Sequence, residues 1–389
     1  MKRVVVVALM AVFTLAVCFV ILGSVSVELM EDLGIKEDAF GSLVMALFLT
    51  GLITQPFIGP LVDKYGHKPM ATIGFAVVGG SMFLLAFAPS YAIAMLASIL
   101  LGFGAMALNT VGNTLIPAVL YEGKDPARAS NFGNVFFGIG YVLTPLLFTL
   151  FLQALSYSAA LSIVGALVIF FLIISLTTSY PQIAFGFKLS MAINMLKKVA
   201  VIVGFFALFF YLALEIIMTS WGKPLMTELF GGGSQASYNA GVILSFFGVT
   251  LTLGRFLASR IKNLTAIGAK MIVILSLISV ASIIVMILTD SAVLAVIAFL
   301  VTGLVFGPIF PNIVGITFAR FDPKFHGSIF GIIFTGGLLG STFAPKIVGN
   351  ISAGEATVQE SLLIAAVMAG VLFIIAFFLG KKKKSESTE

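Results

Sequence analysis

One carboxylate, a side chain that could take part in chemistry, lies inside a long apolar run of this sequence. Glu215 lies 16 residues past residue 199, where that run begins. Burial disfavours the charged form of a carboxyl group, so a residue in this setting can take up and release a proton. Tyr211 and Trp221 flank it and offer aromatic faces to a bound molecule. Two alternatives stay open: Glu215 as a structural hydrogen-bonding group between helices, and Trp221 as an anchor at the membrane interface.

Asparagines form the second group of polar side chains within apolar runs. Asn109 and Asn113 are four residues apart and share one face of a helix, while Asn134 and Asn312 lie in other runs. Amide groups and aromatic faces suit a neutral polar molecule such as a sugar. No Lys or Arg falls near the centre of a run, which disfavours an anionic cargo. For Asn113, Asn131 and Asn134, hydrogen bonding between helices is the competing interpretation.

A short charged loop separates two of the apolar runs and reads Gly59-Pro-Leu-Val-Asp-Lys-Tyr-Gly-His-Lys-Pro69. Gly66 permits a tight turn there. The Asp63 carboxylate can accept hydrogen bonds from the N-terminus of another helix, or it can pair with Arg128. The corresponding place in the second half reads Gly254-Arg-Phe-Leu-Ala-Ser-Arg260 and has no acid. We therefore expect contacts that are asymmetric between the two halves, with Asp63 as the carboxylate and no acid at the matching place after Gly254.

The elements that must position these residues are membrane-spanning helices. The chain is 60% hydrophobic and 10% charged, which excludes an ordinary soluble domain. A spanning helix takes about 20 consecutive apolar residues. The sequence predicts an all-α membrane protein with twelve transmembrane helices, at residues 4–28, 38–62, 70–88, 91–120, 129–153, 157–179, 199–222, 237–258, 267–288, 291–319, 327–350 and 358–380.

A polar stretch near the middle divides these helices into two sets of six. The predicted organisation is a six-helix bundle over 1–180, a cytoplasmic linker over 181–198, a second six-helix bundle over 199–380 and a basic cytoplasmic tail over 381–389. We expect the amphipathic part of the linker to lie on the membrane surface.

The two halves also show weak internal similarity, as a parallel repeat predicts. The fifth and eleventh helices align at an offset of 200 residues, which pairs Gly140 with Gly340 and Pro145 with Pro345. Small residues let helices approach closely in lipid, and we expect these two helices to flex near their prolines. Tight packing without flexing is the alternative.

The orientation follows from the distribution of Lys and Arg, which collect on the cytoplasmic face. With both termini in the cytoplasm, 19 of the 22 basic residues fall on the inner side, and the outer side holds only Lys36, Lys223 and Lys346. The net charge of +6 then reflects topology and contact with anionic lipid instead of nucleic acid. Cys18 stands alone inside the first helix, so neither a disulfide nor a metal site is expected.

The loop from Gly59 to Pro69 resembles the signature loop of the major facilitator superfamily of secondary transporters. The resemblance implies two six-helix bundles that open alternately to the two sides of the cell inner membrane. It makes the Asp63 contact a lock on the cytoplasmic side while the transporter is open outward. The residues assigned to this gate are Gly59, Asp63, Lys64, Gly66, Lys68, Arg128, Gly254 and Arg255.

Three further runs resemble the fucose-permease-like branch of that superfamily: Tyr211-x-x-x-Glu-x5-Trp221, Asn109-Thr-Val-Gly-Asn113 and Gly307-Pro-Ile-Phe-Pro-Asn312. The branch includes proton-coupled importers of fucose, galactose and glucose. Its proton-coupled members typically carry carboxylates in the middles of the first and fourth helices, which this sequence lacks, so we assign the coupling proton to Glu215. The residues assigned to substrate binding are Asn109, Asn113, Asn134, Tyr211, Glu215, Trp221 and Asn312.

The predicted function is therefore proton-coupled transport of a small neutral polar solute, a sugar above all, by a monomer that needs no cofactor. A proton-antiport exporter of drugs or lipid-like amphiphiles is the first alternative. It would carry a Gly-Pro pair in the fifth helix, where this chain has Gly140 five residues before Pro145.

A non-transporting membrane sensor is the second alternative, although no loop is long enough for an added soluble domain. An enzyme is not expected, since no nucleophile–base pair or phosphate-binding glycine loop is present.

Overall fold

The computed structural model of the chain describes residues 3–181, 189–352 and 357–380, and nearly all of them are helical. The α-helices are α1 Arg3–Ser24, α2 Ser26–Leu33, α3 Glu37–Tyr65, α4 His67–Ala86, α5 Tyr91–Val119, α6 Pro126–Phe151, α7 Tyr157–Leu176, α8 Leu189–Met195, α9 Val199–Leu229, α10 Gly233–Ser259, α11 Leu264–Leu288, α12 Ala292–Phe306, α13 Ile309–Phe318, α14 His326–Ser352, α15 Val358–Ser361 and α16 Leu363–Leu379.

Twelve stretches of the described residues are long and apolar enough to cross a membrane, which confirms the predicted number of spans. The predicted tenth helix consists of two helices, α12 and α13, because Pro308 and Pro311 lack the N–H groups that a continuous helix needs. The first predicted helix likewise ends at Ser24, and α2 follows after Val25, whose backbone leaves the helical region.

The chain folds into two compact units. The first comprises Met1–Lys124, Phe132–Leu196 and Phe321–Thr335, and the second comprises Asp125–Asn131, Lys197–Arg320 and Gly336–Glu389. Each unit thus takes in a short segment from the other half of the sequence. The predicted division into bundles over 1–180 and 199–380 stays a prediction. Residues 182–188 of the predicted linker and the predicted basic tail, 381–389, lie outside the described residues.

Glycines allow the close approach of helices within each unit. In the first unit, a side chain at Gly140 of α6 would press against the carbonyl oxygen of Phe13 in α1, 2.8 Å from a Cβ atom. In the second unit, Gly340 of α14 lies even closer to the carbonyl oxygen of Phe209 in α9. The tight packing expected at these two glycines is confirmed. Pro145 and Pro345 both lie inside their helices, and flexing there stays a prediction.

Candidate functional site

Asp63 lies in the last turn of α3 and is buried. Only Gly66, with φ 86°, separates α3 from α4. The Asp63 Oδ1 atom accepts the N–H of Gly327 at 2.8 Å, and Oδ2 accepts the N–H of Ser328 at 2.6 Å and its hydroxyl at 2.5 Å. These N–H groups belong to the first turn of α14, where helical partners are missing and the helix dipole favours an anion. The first of the two predicted partners of Asp63, a helix N-terminus, is confirmed.

A close backbone contact accompanies this carboxylate. A Cβ atom on Gly59 would clash with the carbonyl oxygen of Gly327, and a Cβ atom on Gly327 would clash with the carbonyl oxygen of Gly59. The two glycines therefore let α3 and the first turn of α14 meet closely enough for Asp63 to reach its donors. Lys64 and Lys68 are exposed, and the Lys64 ammonium lies 4.8 Å from the ring centroid of Tyr65.

Arg128 belongs to a second cluster, in the second unit. Its Nε donates to the carbonyl oxygen of Ser259 at 2.9 Å, within the predicted segment from Gly254 to Arg260. The same cluster contains a carboxylate that the sequence analysis missed. Asp125 is buried and accepts the N–H groups of Leu264 at 3.0 Å and Thr265 at 2.9 Å.

Asp125 thus does for the start of α11 what Asp63 does for the start of α14, and the Thr265 hydroxyl adds a bond of 2.6 Å. No acid follows α10 at the place that corresponds to Asp63, as expected, but this second carboxylate precedes α6; the predicted asymmetry of the gate stays a prediction. The sequence did carry a signal for Asp125. Asp followed by Pro before a helical run is a typical N-cap with Pro at the first helical position.

Arg255 lies inside α10 with its side chain buried. Its Nη2 atom is 3.8 Å from Glu215 Oε1, and its Nε donates to the carbonyl oxygen of Gly307 at 3.2 Å. Glu215 itself is in the middle part of α9, and its Oε2 atom is buried without a hydrogen-bond partner among the described residues. A buried cation therefore stands beside the predicted coupling residue, and the argument against anionic cargo loses its basis.

Polar side chains from neighbouring helices donate to backbone carbonyls at the break between α12 and α13. Pro311 has no N–H, so the carbonyl oxygen of Gly307 lacks its usual partner four residues on, and Arg255 supplies the donor. The Tyr211 hydroxyl donates to the carbonyl oxygen of Phe306 at 3.0 Å. Its ring packs against Phe306 on one side of the break and Phe310 on the other, with centroids 5.8 and 6.4 Å away.

Gly254 explains how α10 comes so close to the break. A Cβ atom there would clash with the carbonyl oxygen of Leu304 and would lie 3.2 Å from Pro308 Cδ. Gly307 faces α10 in the same way, with the Leu251 carbonyl too near for a side chain. Gly254 and Arg255, which the sequence assigned to a gate, thus pack on the broken span.

The predicted asparagines bond mainly with one another. In the first unit, Asn134 Nδ2 donates to Asn113 Oδ1 at 3.1 Å, and Asn113 Nδ2 donates to Asn109 Oδ1 at 2.8 Å. In the second unit, Asn131 Nδ2 donates to Asn312 Oδ1 at 2.8 Å. All five side chains are buried. The Nδ2 atom of Asn312 and the Oδ1 atom of Asn131 have no hydrogen-bond partner in the part of the chain that the structure describes, so this pair retains one donor and one acceptor.

An aromatic cluster that sequence reasoning did not identify lies in the first unit. Phe19 of α1 packs against Phe48 of α3 and Phe137 of α6, with centroids 5.2 and 6.1 Å away. Tyr141 stacks on Phe137 at 6.0 Å. Phe48 is 39% exposed and Tyr141 40% exposed, so the cluster presents ring faces at the surface of the unit. Trp221 belongs to the second unit, where it is partly exposed and lies six residues past Glu215 on α9.

Comparison with known proteins relates the chain to transporters. Over 118 residues it is 29% identical to the quinolone resistance protein NorA of Staphylococcus aureus, a match that covers 30% of each chain. Over 120 residues it is 27% identical to the multidrug resistance protein D of Escherichia coli, covering 31% of this chain and 30% of that protein. The chain thus spans under a third of the length of these curated relatives.

Solved structures match over almost the whole chain. A variant of the fucose:proton symporter FucP of Escherichia coli superposes with a TM-score of 0.79 at 16% identity, covering 97% of this chain and 100% of that one. The human organic anion transporter MFSD10 superposes with a TM-score of 0.70 at 16% identity, covering 97% and 99%. At these identities the likeness establishes the fold.

The model of the Major Facilitator Superfamily matches residues 7–345. With twelve membrane-spanning helices in the same fold as solved members, this chain belongs to the Major Facilitator Superfamily and is a multi-pass membrane transporter.

Proposed function

We propose that this protein couples the movement of a small neutral solute to the movement of protons, with Glu215 as the group that gains and loses the proton. The observation that carries the proposal is the Glu215–Arg255 pair inside the membrane, where Nη2 and Oε1 are 3.8 Å apart. Ionisable side chains are costly within a bilayer and mark ion or substrate pathways there. The pair lies against a broken helix, which in transporters is a frequent feature of binding sites.

A sugar is the first cargo that we propose. Aromatic faces suit the apolar faces of a sugar ring, and the cluster of Phe19, Phe48, Phe137 and Tyr141 offers them at the surface of the first unit. The Asn131–Asn312 pair, with one donor and one acceptor to spare, suits hydroxyl groups. Fucose is cargo of a protein with the same fold.

An amphiphilic drug is the second candidate, and proton antiport would then export it. Two observations favour it. The asparagines at 109, 113 and 134 already bond to one another, which leaves fewer amide groups for a polyhydroxylated cargo. The relatives found by sequence are a quinolone resistance protein and a multidrug resistance protein.

The gate that we propose is formed by the Asp63 and Asp125 contacts. Within the first unit, opening requires that Asp63 release the first turn of α14, and within the second unit it requires that Asp125 release the first turn of α11. We place each of these helix starts in the cytoplasm because the basic residues collect there.

Transport by purified protein in liposomes tests the coupling. A pH gradient is imposed, and labelled hexoses, including fucose, are compared with a fluorescent quinolone. We expect gradient-driven movement by the unchanged protein, and its loss in Glu215→Gln with counterflow of the cargo retained. Accumulation that is unchanged in Glu215→Gln would overturn the assignment of the proton to Glu215.

The direction of movement separates the two cargo classes. Hexose uptake into vesicles that are less acidic than the medium indicates symport of a sugar. Quinolone moving against the proton flux indicates drug export. A protein that moves neither, and whose thermal unfolding none of the compounds shifts, would contradict both.

A further inference from the structure

The break between α12 and α13 and the Glu215–Arg255 pair share one side chain. Arg255 directs its Nε to the carbonyl oxygen of Gly307 and its Nη2 toward Glu215 Oε1. The Gly307 carbonyl cannot find a donor in its own helix, since Pro311 occupies the place of that donor. The Gly307 carbonyl at this interruption therefore depends on a donor from α10, and that donor also lies 3.8 Å from the carboxylate on α9.

From this geometry we infer that Arg255 is a positioning residue that converts the protonation of Glu215 into a change of angle between α12 and α13. The inference rests on the proposed function, which it extends by naming the element that responds. A charged Glu215 attracts the guanidinium and keeps it in place beneath the break. A neutral Glu215 attracts it less, so Arg255 can leave Gly307, and the bare carbonyl then has to find another donor as the two helices change their angle.

The surroundings of Glu215 support this assignment. Among the described residues, the charged and titratable side chains that meet here are Glu215 and Arg255, 3.8 Å apart, together with Tyr211, four residues before Glu215 on α9. The broken span contributes the backbone carbonyls of Phe306 and Gly307 to this group. Tyr211 bonds to the last residue of α12 while its ring also contacts Phe310 in α13, so it forms a pivot that both helices touch. Arg255 joins the broken span to the carboxylate by its charge.

A distance measured across the break tests the inference. Spin labels are attached at Val293→Cys, near the start of α12, and Ala319→Cys, directly after α13. Both positions are exposed, and at 1.5 Å per residue they are about 39 Å apart, a span that pulsed electron paramagnetic resonance measures. The native Cys18 is fully buried and leaves little background.

We expect the distance in the otherwise unchanged protein to differ between acidic and alkaline buffer. Glu215→Gln should hold the acidic distance in both buffers. Arg255→Gln should abolish the response although the Glu215 carboxylate is still present. Arg260→Gln is the matched control, because Arg260 follows the same helix and stacks over Phe256, 4.7 Å from its ring. That variant should keep the response.

A pH response that persists in Arg255→Gln would overturn the inference, and so would its loss in Arg260→Gln. If Arg255→Gln does not fold, the double variant Glu215→Gln with Arg255→Gln removes both buried charges together. It should fold and show one distance in both buffers, and a pH-dependent distance in it would count against the inference. Failure of gradient-driven transport in the unchanged protein would contradict the proposed function instead, whereas proton-driven transport with a pH response in Arg255→Gln contradicts only the inference.

Discussion

Two carboxylates hold the first turns of two helices, and their chemistry explains why an acid occupies each place. Asp63 uses both oxygens to accept two N–H groups and a hydroxyl, and Asp125 does the same. An amide would turn an NH2 group toward one of these donors. Hydrogen bonds to a charged group contribute about 1.5–3 kcal/mol each when they are buried, so each carboxylate is a strong local contact.

Replacing Asp63 should therefore loosen the start of α14. In Asp63→Asn we expect faster hydrogen exchange at the amides of Gly327 and Ser328, because the free energy of local opening there falls by about 1.5–3 kcal/mol. Exchange is read residue by residue by mass spectrometry in detergent. Glu122→Gln is the control, because Glu122 is an exposed acid with a side chain 79% accessible. Equal exchange in the two variants would contradict the role of Asp63.

Replacing Asp125 should act on a different pair of amides. In Asp125→Asn we expect faster exchange at Leu264 and Thr265, which donate to this carboxylate, and no change at Gly327 and Ser328. The same measurement on one sample reads both sites. If Asp125→Asn left Leu264 and Thr265 as protected as before, Asp125 would not be the cap of α11.

Sequence reasoning found single functional residues where a motif or a conspicuous location marked them. Asp63 was identified by the motif of its loop, and Glu215 was identified because it is a carboxylate within an apolar run. Asp125 was missed because the sequence marks it only as the N-cap of its own helix, whereas its partners Leu264 and Thr265 lie 139 and 140 residues away. The partnership of Arg255 with Glu215 was missed for a related reason. A long basic side chain near a helix end ordinarily directs its charged group to water, and only the packing of α9 and α10 brings the Arg255 guanidinium to Glu215.

At the scale of elements, glycines determine how closely α3 and α14 approach each other. Gly327→Ala should force α3 and α14 apart, because its Cβ atom would lie 2.6 Å from Asp63 Oδ1 and even closer to the Gly59 carbonyl. Such overpacking costs about 1–3 kcal/mol. We expect a lower midpoint of thermal unfolding than for Gly80→Ala, since no described atom lies within 4 Å of a Cβ atom at Gly80. Equal midpoints would show that the helices separate without cost.

The elements themselves were largely predictable. Apolar runs of sufficient length located all twelve spans, because the bilayer imposes a minimum length that hydropathy alone reveals. The interruption after Phe306 was not predicted, although Pro308 and Pro311 stood in the sequence. Proline within a membrane helix often bends it without dividing it, and the division depends on outside donors such as Tyr211 and Arg255.

At the scale of the whole molecule, the charge distribution predicts which way the protein faces. We expect Lys36→Cys to react with a membrane-impermeant maleimide in intact cells, and Lys124→Cys to react only after permeabilisation. Both positions are exposed, and the buried Cys18 gives little background labelling. Labelling of Lys124→Cys in intact cells would place the adjacent Asp125 on the outer side and contradict the proposed cytoplasmic gate.

Cargo is the property that the whole fold predicts least. The same architecture is present in a fucose symporter and in a human organic anion transporter, while the local sequence matches are to drug resistance proteins. The residues that line the binding site, and not the fold, determine which cargo a transporter carries. The asparagines that suggested a sugar turned out to bond to one another, an arrangement that depends on how helices face each other in space.

The Asp63 contact has a consequence for how this protein tolerates variation. Two of its three donors are main-chain N–H groups at Gly327 and Ser328, which every residue except proline possesses. Substitutions on the α14 side can crowd the contact but cannot delete these donors, whereas one change at Asp63 removes every acceptor. Natural drift and second-site suppressors should therefore be unevenly distributed across this contact: Asp63 is required as the acceptor, whereas the α14 side is restricted only by the space at Gly327 and by the exclusion of proline.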